Sequence, residues 1–130
     1  MTKRISILAL IFVAGCATMG DTMSSKSSGS VRTYHASFER TWRAAMDVFH
    51  QAGSGPIEEH RDEHYMSTTF GVDAFSWGTY ATAWVDPVGN GEMRVTIVTK
   101  KRAKLTIETQ LDEGQFLSGL DARLGASAER

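Results

Sequence analysis

The most constraining feature of the sequence is an apolar stripe that repeats at helical spacing between positions 38 and 52. Its members are Phe38, Trp42, Ala45, Met46, Phe49 and Ala52. These positions share one face of a helix of about four turns. Ser37 is a suitable N-cap, Glu39 lies in the first turn where it favours the helix dipole, and Gly53 can end the helix. Such a helix must bury its stripe against another layer of structure.

Alternating β patterns surround this helix. Predicted strands cover residues 31–36, 57–60, 64–70, 75–86 and a segment that begins near 93. The last pattern continues weakly through Leu105 and Ile107. Clusters of glycine, proline and asparagine separate several of these segments and predict turns between them.

A second amphipathic segment follows the strands. Asp112 can cap a helix that ends at Gly125, and its apolar face consists of Phe116, Leu117, Leu120 and Leu124. The order β-α-β-β-β-β-α predicts an α+β fold, in which two helices cover one face of an antiparallel β-meander. We expect residues 31–130 to form this single domain.

The first fifteen residues have the pattern of an export signal. Lys3 and Arg4 precede an apolar run of about nine residues, and small residues follow at positions 14 and 15. A transmembrane helix needs about 20 apolar residues, so the run is too short to span a membrane. We therefore expect residues 1–15 to be removed as a signal peptide.

The end of this signal resembles the lipobox of bacterial lipoproteins. The motif is Val13-Ala14-Gly15-Cys16, and its cysteine is the only one in the chain. The resemblance implies that the Cys16 thiol carries a diacylglyceryl group and that the new amino terminus is acylated. Two or more acyl chains anchor a protein stably, whereas one binds only marginally. Ala17 in place of aspartate implies, by the sorting rule of enteric-type bacteria, the periplasmic face of the outer membrane.

Residues 16–30 are predicted to be a lipidated N-terminus and a flexible linker. The segment from Ala17 to Ser30 is rich in serine and glycine and has almost no apolar periodicity. As a random coil it would span about 20 Å on average, and at most about 50 Å when extended. A lone cysteine allows no intrachain disulfide, so the domain must be stabilised by its hydrophobic core.

The globular part resembles a known group of lipoprotein domains. The Phe38–Trp42 helix start, the Gly55-Pro56 break, the strand meander and the C-terminal helix are similar to the helix-grip domain of BamC (NlpB)-type outer-membrane lipoproteins. The resemblance covers about residues 31–125. It implies a helix-grip-like fold and a non-enzymatic accessory role beside an envelope protein partner.

The charge balance argues against nucleic acid as a partner. The chain has 14 basic and 15 acidic residues, and removal of Lys3 and Arg4 leaves 12 basic residues against the same 15. Phosphate binding requires a clustered basic surface, which this composition does not favour. The basic run at 100–104 is typical of a solvated loop or edge strand, with anionic lipid or an acidic partner as the alternative.

No motif predicts a metal site or a catalytic centre. His60, Asp62 and His64 would fall on one side of an extended strand, but zinc needs three or four ligands and a supporting second shell. A solvated polar hairpin is the preferred interpretation. The serines lack a nucleophile-elbow context, and the adjacent acidic pairs point in different directions. We expect no enzymatic activity and no cofactor.

The strand at 75–86 carries the candidate binding residues. One face receives Phe75, Trp77, Ala81, Ala83 and Val85, and the other receives Tyr80 and Trp84. If helices cover only the first face, Tyr80 and Trp84 are exposed or capped by a partner. Edge packing is one interpretation, and a platform for a protein, a glycan strand or lipid is the other.

Three functions remain open at this point. The leading hypothesis is an outer-membrane-tethered periplasmic module that binds another envelope protein and has no deep polar pocket. A lipid- or glycan-binding carrier would require an apolar cavity between the first helix and the sheet, lined by Trp42, Phe49 and Trp77. A hydrolase would require a cleft that holds a titratable pair with perturbed pKa values.

Overall fold

The computed structural model of the 130-residue chain describes residues 22–23, 25–72, 77–101 and 112–125. These residues form the predicted α+β fold, a five-stranded antiparallel sheet with two helices. The strands are β1 (Ser30–His35), β2 (Glu58–His60), β3 (Tyr65–Val72), β4 (Trp77–Pro87) and β5 (Glu92–Lys101). The helices are α1 (Phe38–Gln51) and α2 (Glu113–Leu124). Phe75, Leu105, Ile107 and the side chain of Trp77 lie outside the described residues.

The sheet has the order β1-β5-β4-β3-β2. Strands β2 to β5 form a meander, and β1 pairs with the far edge of it, so that Ser30 lies opposite Ile97 and His35 lies opposite Glu92. Helix α1 therefore carries the chain from one edge of the sheet to the other. No helix within the described ranges is long and apolar enough to cross a membrane.

Helix α1 begins and ends where its sequence predicts. The Ser37 hydroxyl accepts a hydrogen bond from the Arg40 amide at 3.2 Å, and Gly53 takes a φ of 86° just after the C-cap. Its buried face is wider than the predicted stripe, because it also includes Thr41, Ala44 and Val48. Of these residues, Val48 faces α2, where an added Cβ on Gly119 would lie 3.0 Å from the Val48 side chain.

Helix α2 is fixed at its start and along its length. Asp112 and Gln115 form a capping box, in which the backbone N–H of Gln115 donates to the Asp112 carboxylate at 2.7 Å. All four residues of the predicted apolar face are buried, namely Phe116, Leu117, Leu120 and Leu124. On β1, Arg32 forms an ion pair with Asp121. The second helix is thereby attached to the sheet as well as to α1.

The core lies between the two helices and one face of the sheet. Large rings come from the helices and from β3, and Phe49 packs against Phe70 and Phe116 with centroids 5.8 and 4.8 Å apart. Strand β4 offers smaller side chains beneath the helices, with Ala81, Ala83 and Val85 all fully buried as predicted. Because the helical rings fill most of the space, small residues on β4 give close packing without overlap.

Candidate functional site

The sheet face that turns away from the helices carries the predicted residues Tyr80 and Trp84. We define this outer face by Tyr65, Ser67, Tyr80, Thr82, Trp84, Thr96 and Val98, which share one side of β3, β4 and β5 by register. Hydroxyl-bearing side chains dominate its centre. Most of this centre is buried, since Ser67, Thr82, Thr96 and Val98 all have little exposed surface.

Trp84 was expected to be exposed or capped by a partner, but in the structure it is buried, and Lys26 of the same chain lies over its ring. Only 4% of it is exposed, and it lies between Tyr65 and Thr96 in register. The Lys26 amine lies 5.5 Å from the centroid of the indole ring, within the range of a cation–π contact. Tyr80 is half-buried. The sequence placed both residues on the correct face but gave no sign of what covers it.

A chain of buried hydroxyls crosses the centre of the outer face. The Thr82 Oγ1 atom lies 2.6 Å from Thr22 Oγ1 and 2.9 Å from Ser67 Oγ. All three residues are buried. A buried hydroxyl is costly when it has no partner, so this chain stabilises the docking of Thr22 onto the sheet.

The residues before β1 lie along this face. We call residues 22–29 the N-terminal strap; the structure describes all of it except position 24. Lys26, in a short 3-10 helix, donates to the Asp86 carboxylate at 2.8 Å, and His64 Nδ1 lies 3.7 Å from the same group. The described part of the predicted linker is therefore structured, and its contacts are made with residues distant in sequence.

The histidines considered as possible metal ligands do not come together as a ligand set. Residues Arg61–Glu63 form a 3-10 turn rather than an extended strand, so His60, Asp62 and His64 do not share a strand face. His60 stacks on Tyr65 at 4.4 Å between centroids, and His64 packs against Phe38. Within the described ranges no three histidine, cysteine or acidic side chains are arranged to hold a metal ion.

An aromatic corner lies beside this turn. The Arg61 guanidinium lies 5.4 Å from the Trp42 ring centroid and 5.6 Å from that of Phe38, and it forms an ion pair with Glu39. The Trp42 indole N–H donates to Glu59 at 2.7 Å. These contacts join the start of α1 to β2, and they use Trp42 as a packing residue.

A cleft of about 500 Å³ lies between α1 and the end of α2. We call it the arginine cleft, and its lining residues are Ser37, Glu39, Arg40, Arg43, Ala44, Asp47, Arg123 and Leu124. Arg40 and Arg43 are exposed, one helical turn apart. Arg123 is held in place by the Gly119 carbonyl and by Gln51.

Local sequence patterns indicate only part of this cleft. Arg40 and Arg43 lie outside the apolar stripe of the first helix, and their spacing indicates a common face. The contribution of Arg123 depends on how α2 packs against α1, which no local pattern encodes. Because Glu39 is already paired with Arg61, the cleft presents its guanidinium groups with Asp47 as the acidic side chain left to balance them.

Two of the three residues predicted to line the apolar cavity of the carrier hypothesis do not border an open space. Trp42 and Phe49 are almost completely buried. Phe49 contacts Phe70 and Phe116, and Trp42 stacks on Phe38 at 5.3 Å. These rings therefore pack against their neighbours and do not line a cavity. The third predicted lining side chain, that of Trp77, lies outside the described residues.

One buried titratable group has a strongly perturbed pKa. Burial, followed by the hydrogen bond to Asp121, raises the pKa of the Tyr34 hydroxyl well above its usual value. That hydroxyl donates to the Asp121 carboxylate at 2.8 Å and lies 3.2 Å from the Leu117 carbonyl. A phenol held protonated between a strand and a helix contributes to packing, and it does not line the arginine cleft.

Cys16, the predicted lipid-attachment residue, lies outside the described residues. No protein-family model matches the chain, and comparison with curated proteins and with solved structures finds no similar protein.

Proposed function

We propose that this chain is a lipid-anchored protein on the periplasmic face of the outer membrane, whose domain binds another envelope protein without catalysing a reaction. The observation that carries the anchor is the Val13-Ala14-Gly15-Cys16 motif directly after a short apolar run. Its cysteine is the only one in the chain, so it has no intrachain disulfide partner. An acylated cysteine gives this otherwise isolated thiol a function.

The arginine cleft is the surface that best supports partner binding. It lies on the helical layer, on the opposite side of the sheet from the N-terminal strap, so anchoring and binding use different sides of the domain. Its exposed guanidinium groups at Arg40 and Arg43 suit an acidic segment, because arginine binds carboxylates through two parallel hydrogen bonds. We therefore propose an envelope protein that presents acidic side chains as the partner.

The anchor is tested by metabolic labelling. Cells that make the wild-type protein or the Cys16→Ala variant are grown with labelled palmitate, and their membranes are fractionated. We expect label on the wild-type protein alone, in the outer-membrane fraction. Equal label on both proteins, or none on either, would overturn the lipoprotein proposal.

The partner surface is tested by site-specific photo-crosslinking. A photoreactive amino acid at position 43 should form a discrete crosslinked product in intact cells, and the same group at exposed Val88 on the β4–β5 turn serves as the matched control. Arg40→Glu should reduce the yield from position 43 at least several-fold, since it places a like charge against an acidic partner. Equal products from positions 43 and 88 would contradict binding at the arginine cleft.

A further inference from the structure

We propose that the N-terminal strap stays docked on the outer face in the anchored protein, so that only the five residues 17–21 separate the lipid-bearing Cys16 from the docked chain. This inference rests on the proposed lipid anchor at Cys16 and specifies its geometry. The tether between the lipid and the folded domain is then shorter than the predicted linker of residues 16–30. The domain is then confined to the membrane surface, so its partner must bind within reach of that surface.

The strap is held by contacts of three kinds, which two of its residues make. Thr22 reaches the buried hydroxyl of Thr82 at 2.6 Å. Lys26 pairs with Asp86 at 2.8 Å and lies over the Trp84 ring. Because a hydrogen bond, an ion pair and a cation–π contact all link the strap to β4, its docking does not depend on one weak surface interaction.

The C-terminal end of the strap approaches the sheet closely enough to require glycine. A Cβ added at Gly29 would lie 2.7 Å from Val98 Cγ2 and 2.8 Å from the Ile97 carbonyl oxygen. The carbonyl belongs to the backbone of β5 and cannot rotate away. Gly29 directly precedes Ser30, the first residue of β1, so no residue separates the strap from the sheet.

Docking of the strap shortens the reach of the anchor substantially. A fully free segment from 17 to 29 would extend at most about 45 Å, at 3.3–3.6 Å per residue. With Thr22 held on Thr82, the five residues between Cys16 and Thr22 can span at most about 18 Å, whatever their conformation. A domain of this size has a radius of gyration of about 13 Å, so the domain cannot reach across a wide periplasm.

Disulfide trapping tests the docking directly. In the full-length exported chain, where the Cys16 thiol is acylated, Thr22→Cys combined with Thr82→Cys should form a disulfide, because the two Oγ atoms lie 2.6 Å apart. Ser27→Cys with Thr82→Cys is the matched control, since Ser27 is exposed on the 3-10 helix. Formation is read as a mobility shift on non-reducing gels after free thiols are blocked.

The outcomes separate the docking from the anchor. A disulfide in the 22–82 pair and none in the 27–82 pair supports the docked strap. Palmitate label without a 22–82 disulfide overturns the docking and leaves the lipoprotein proposal standing. A 22–82 disulfide without palmitate label overturns the lipoprotein proposal. The strap is then docked in a protein with no lipid anchor, so the argument about tether length fails.

Proteolysis of the membrane-bound protein gives an independent test that adds no cysteine. Lys26→Asp should increase the rate at which a non-specific protease cuts within residues 25–29 by about two- to fivefold, the range expected for an exposed ion pair, and the cleavage site is read from the mass of the released domain. The charge-reversed double variant Lys26→Asp/Asp86→Lys should restore much of the protection. Equal rates of cleavage within residues 25–29 for wild type and both variants would contradict a docked strap.

Discussion

The two faces of the sheet are both largely buried, but different kinds of structure lie against them. The inner face lies under two capped amphipathic helices, whose rings pack on small residues such as Ala81 and Ala83. The outer face carries hydroxyls and one tryptophan, and the described residues that dock on it belong to the irregular N-terminal strap. The first face is stabilised by apolar burial, and the second by polar pairs with a smaller apolar contribution.

This difference shows where a sequence pattern is informative. A helix that packs on a sheet has a repeating apolar stripe. The sequence therefore predicts both the buried sheet face and the helix that packs on it. A strap has no repeat, because its contacts depend on single side chains at irregular spacing. The alternation in β4 therefore predicted two faces, while the helices predicted the cover of only one.

The largest expected effect concerns the inner face. Phe70→Ala should lower the free energy of unfolding by about 3–5 kcal/mol, because it removes a buried ring that packs against Phe49. Urea denaturation of the purified protein measures the change. Phe70→Leu is the control and should cost much less, since most of the apolar volume remains. A loss below about 1 kcal/mol for the alanine variant would mean that this face is not the main source of stability.

The outer face should respond to the loss of a single hydroxyl. Thr82→Val keeps the shape of the side chain but leaves the Thr22 and Ser67 hydroxyls without this partner, at a cost of about 1–3 kcal/mol. The control Thr82→Ser retains the hydroxyl and should recover much of the loss. If valine and serine variants are equally stable in urea, polar pairing does not distinguish the outer face from the inner one.

Tyr34 provides a pH-dependent test of the inner face. Its pKa is raised by burial and by Asp121, so the folded protein keeps the phenolic proton at a pH where the unfolded chain, with a pKa near 10.0, has lost it. Since the unfolded state then binds fewer protons, stability should fall as the pH rises above about 10. Tyr34→Phe should flatten this decline and cost about 1 kcal/mol at neutral pH.

Urea midpoints of the wild-type protein and the Tyr34→Phe variant between pH 7 and 11 measure this effect. The two curves should converge as the pH rises above 10.0, the ordinary pKa of tyrosine. Parallel curves over the whole range would show that Tyr34 does not contribute to the alkaline loss of stability.

The smallest expected effect concerns the ion pair at the edge of the outer face. Lys26→Met should cost a few tenths to about 1 kcal/mol, because the Lys26 and Asp86 side chains are partly solvated at 44% and 27% exposure. The cost should shrink as sodium chloride is raised from about 0.05 to 0.5 M, since salt screens exposed charges. A double-mutant cycle with Asp86→Asn isolates the pair, and a salt-independent cost would point to the contact with Trp84 instead.

Local signals predicted the helices and strands closely. Ser37 and Asp112 cap the two helices as expected, and Gly53 and Gly125 follow them with positive φ. A 3-10 turn at Arg61–Glu63 separates β2 and β3, in the gap between the two predicted strands. His64 follows this turn in the left-handed region, and the turn removes the strand geometry on which the histidine ligand hypothesis depended.

The candidate surfaces were less predictable than the fold. The side of the sheet occupied by Trp84 followed from simple alternation, but its burial did not. The arginine cleft combines Arg40 and Arg43 on α1 with Arg123 on α2, and the position of Arg123 depends on the close approach of the helices at Gly119. Exposure and cleft formation are properties of several segments together, whereas periodicity is a property of one.

By itself, the sequence determined the local structure and the layers that must meet. Helix caps, apolar stripes and strand alternation each involve residues that are close together in the chain, so they can be recognised in the sequence. Only the tertiary structure decided that Thr22 docks on Thr82, sixty positions away, and that Tyr34 reaches Asp121. The physical reason is that such pairs form only after the core has brought their strands and helices together, and their energies depend on burial that no single segment possesses.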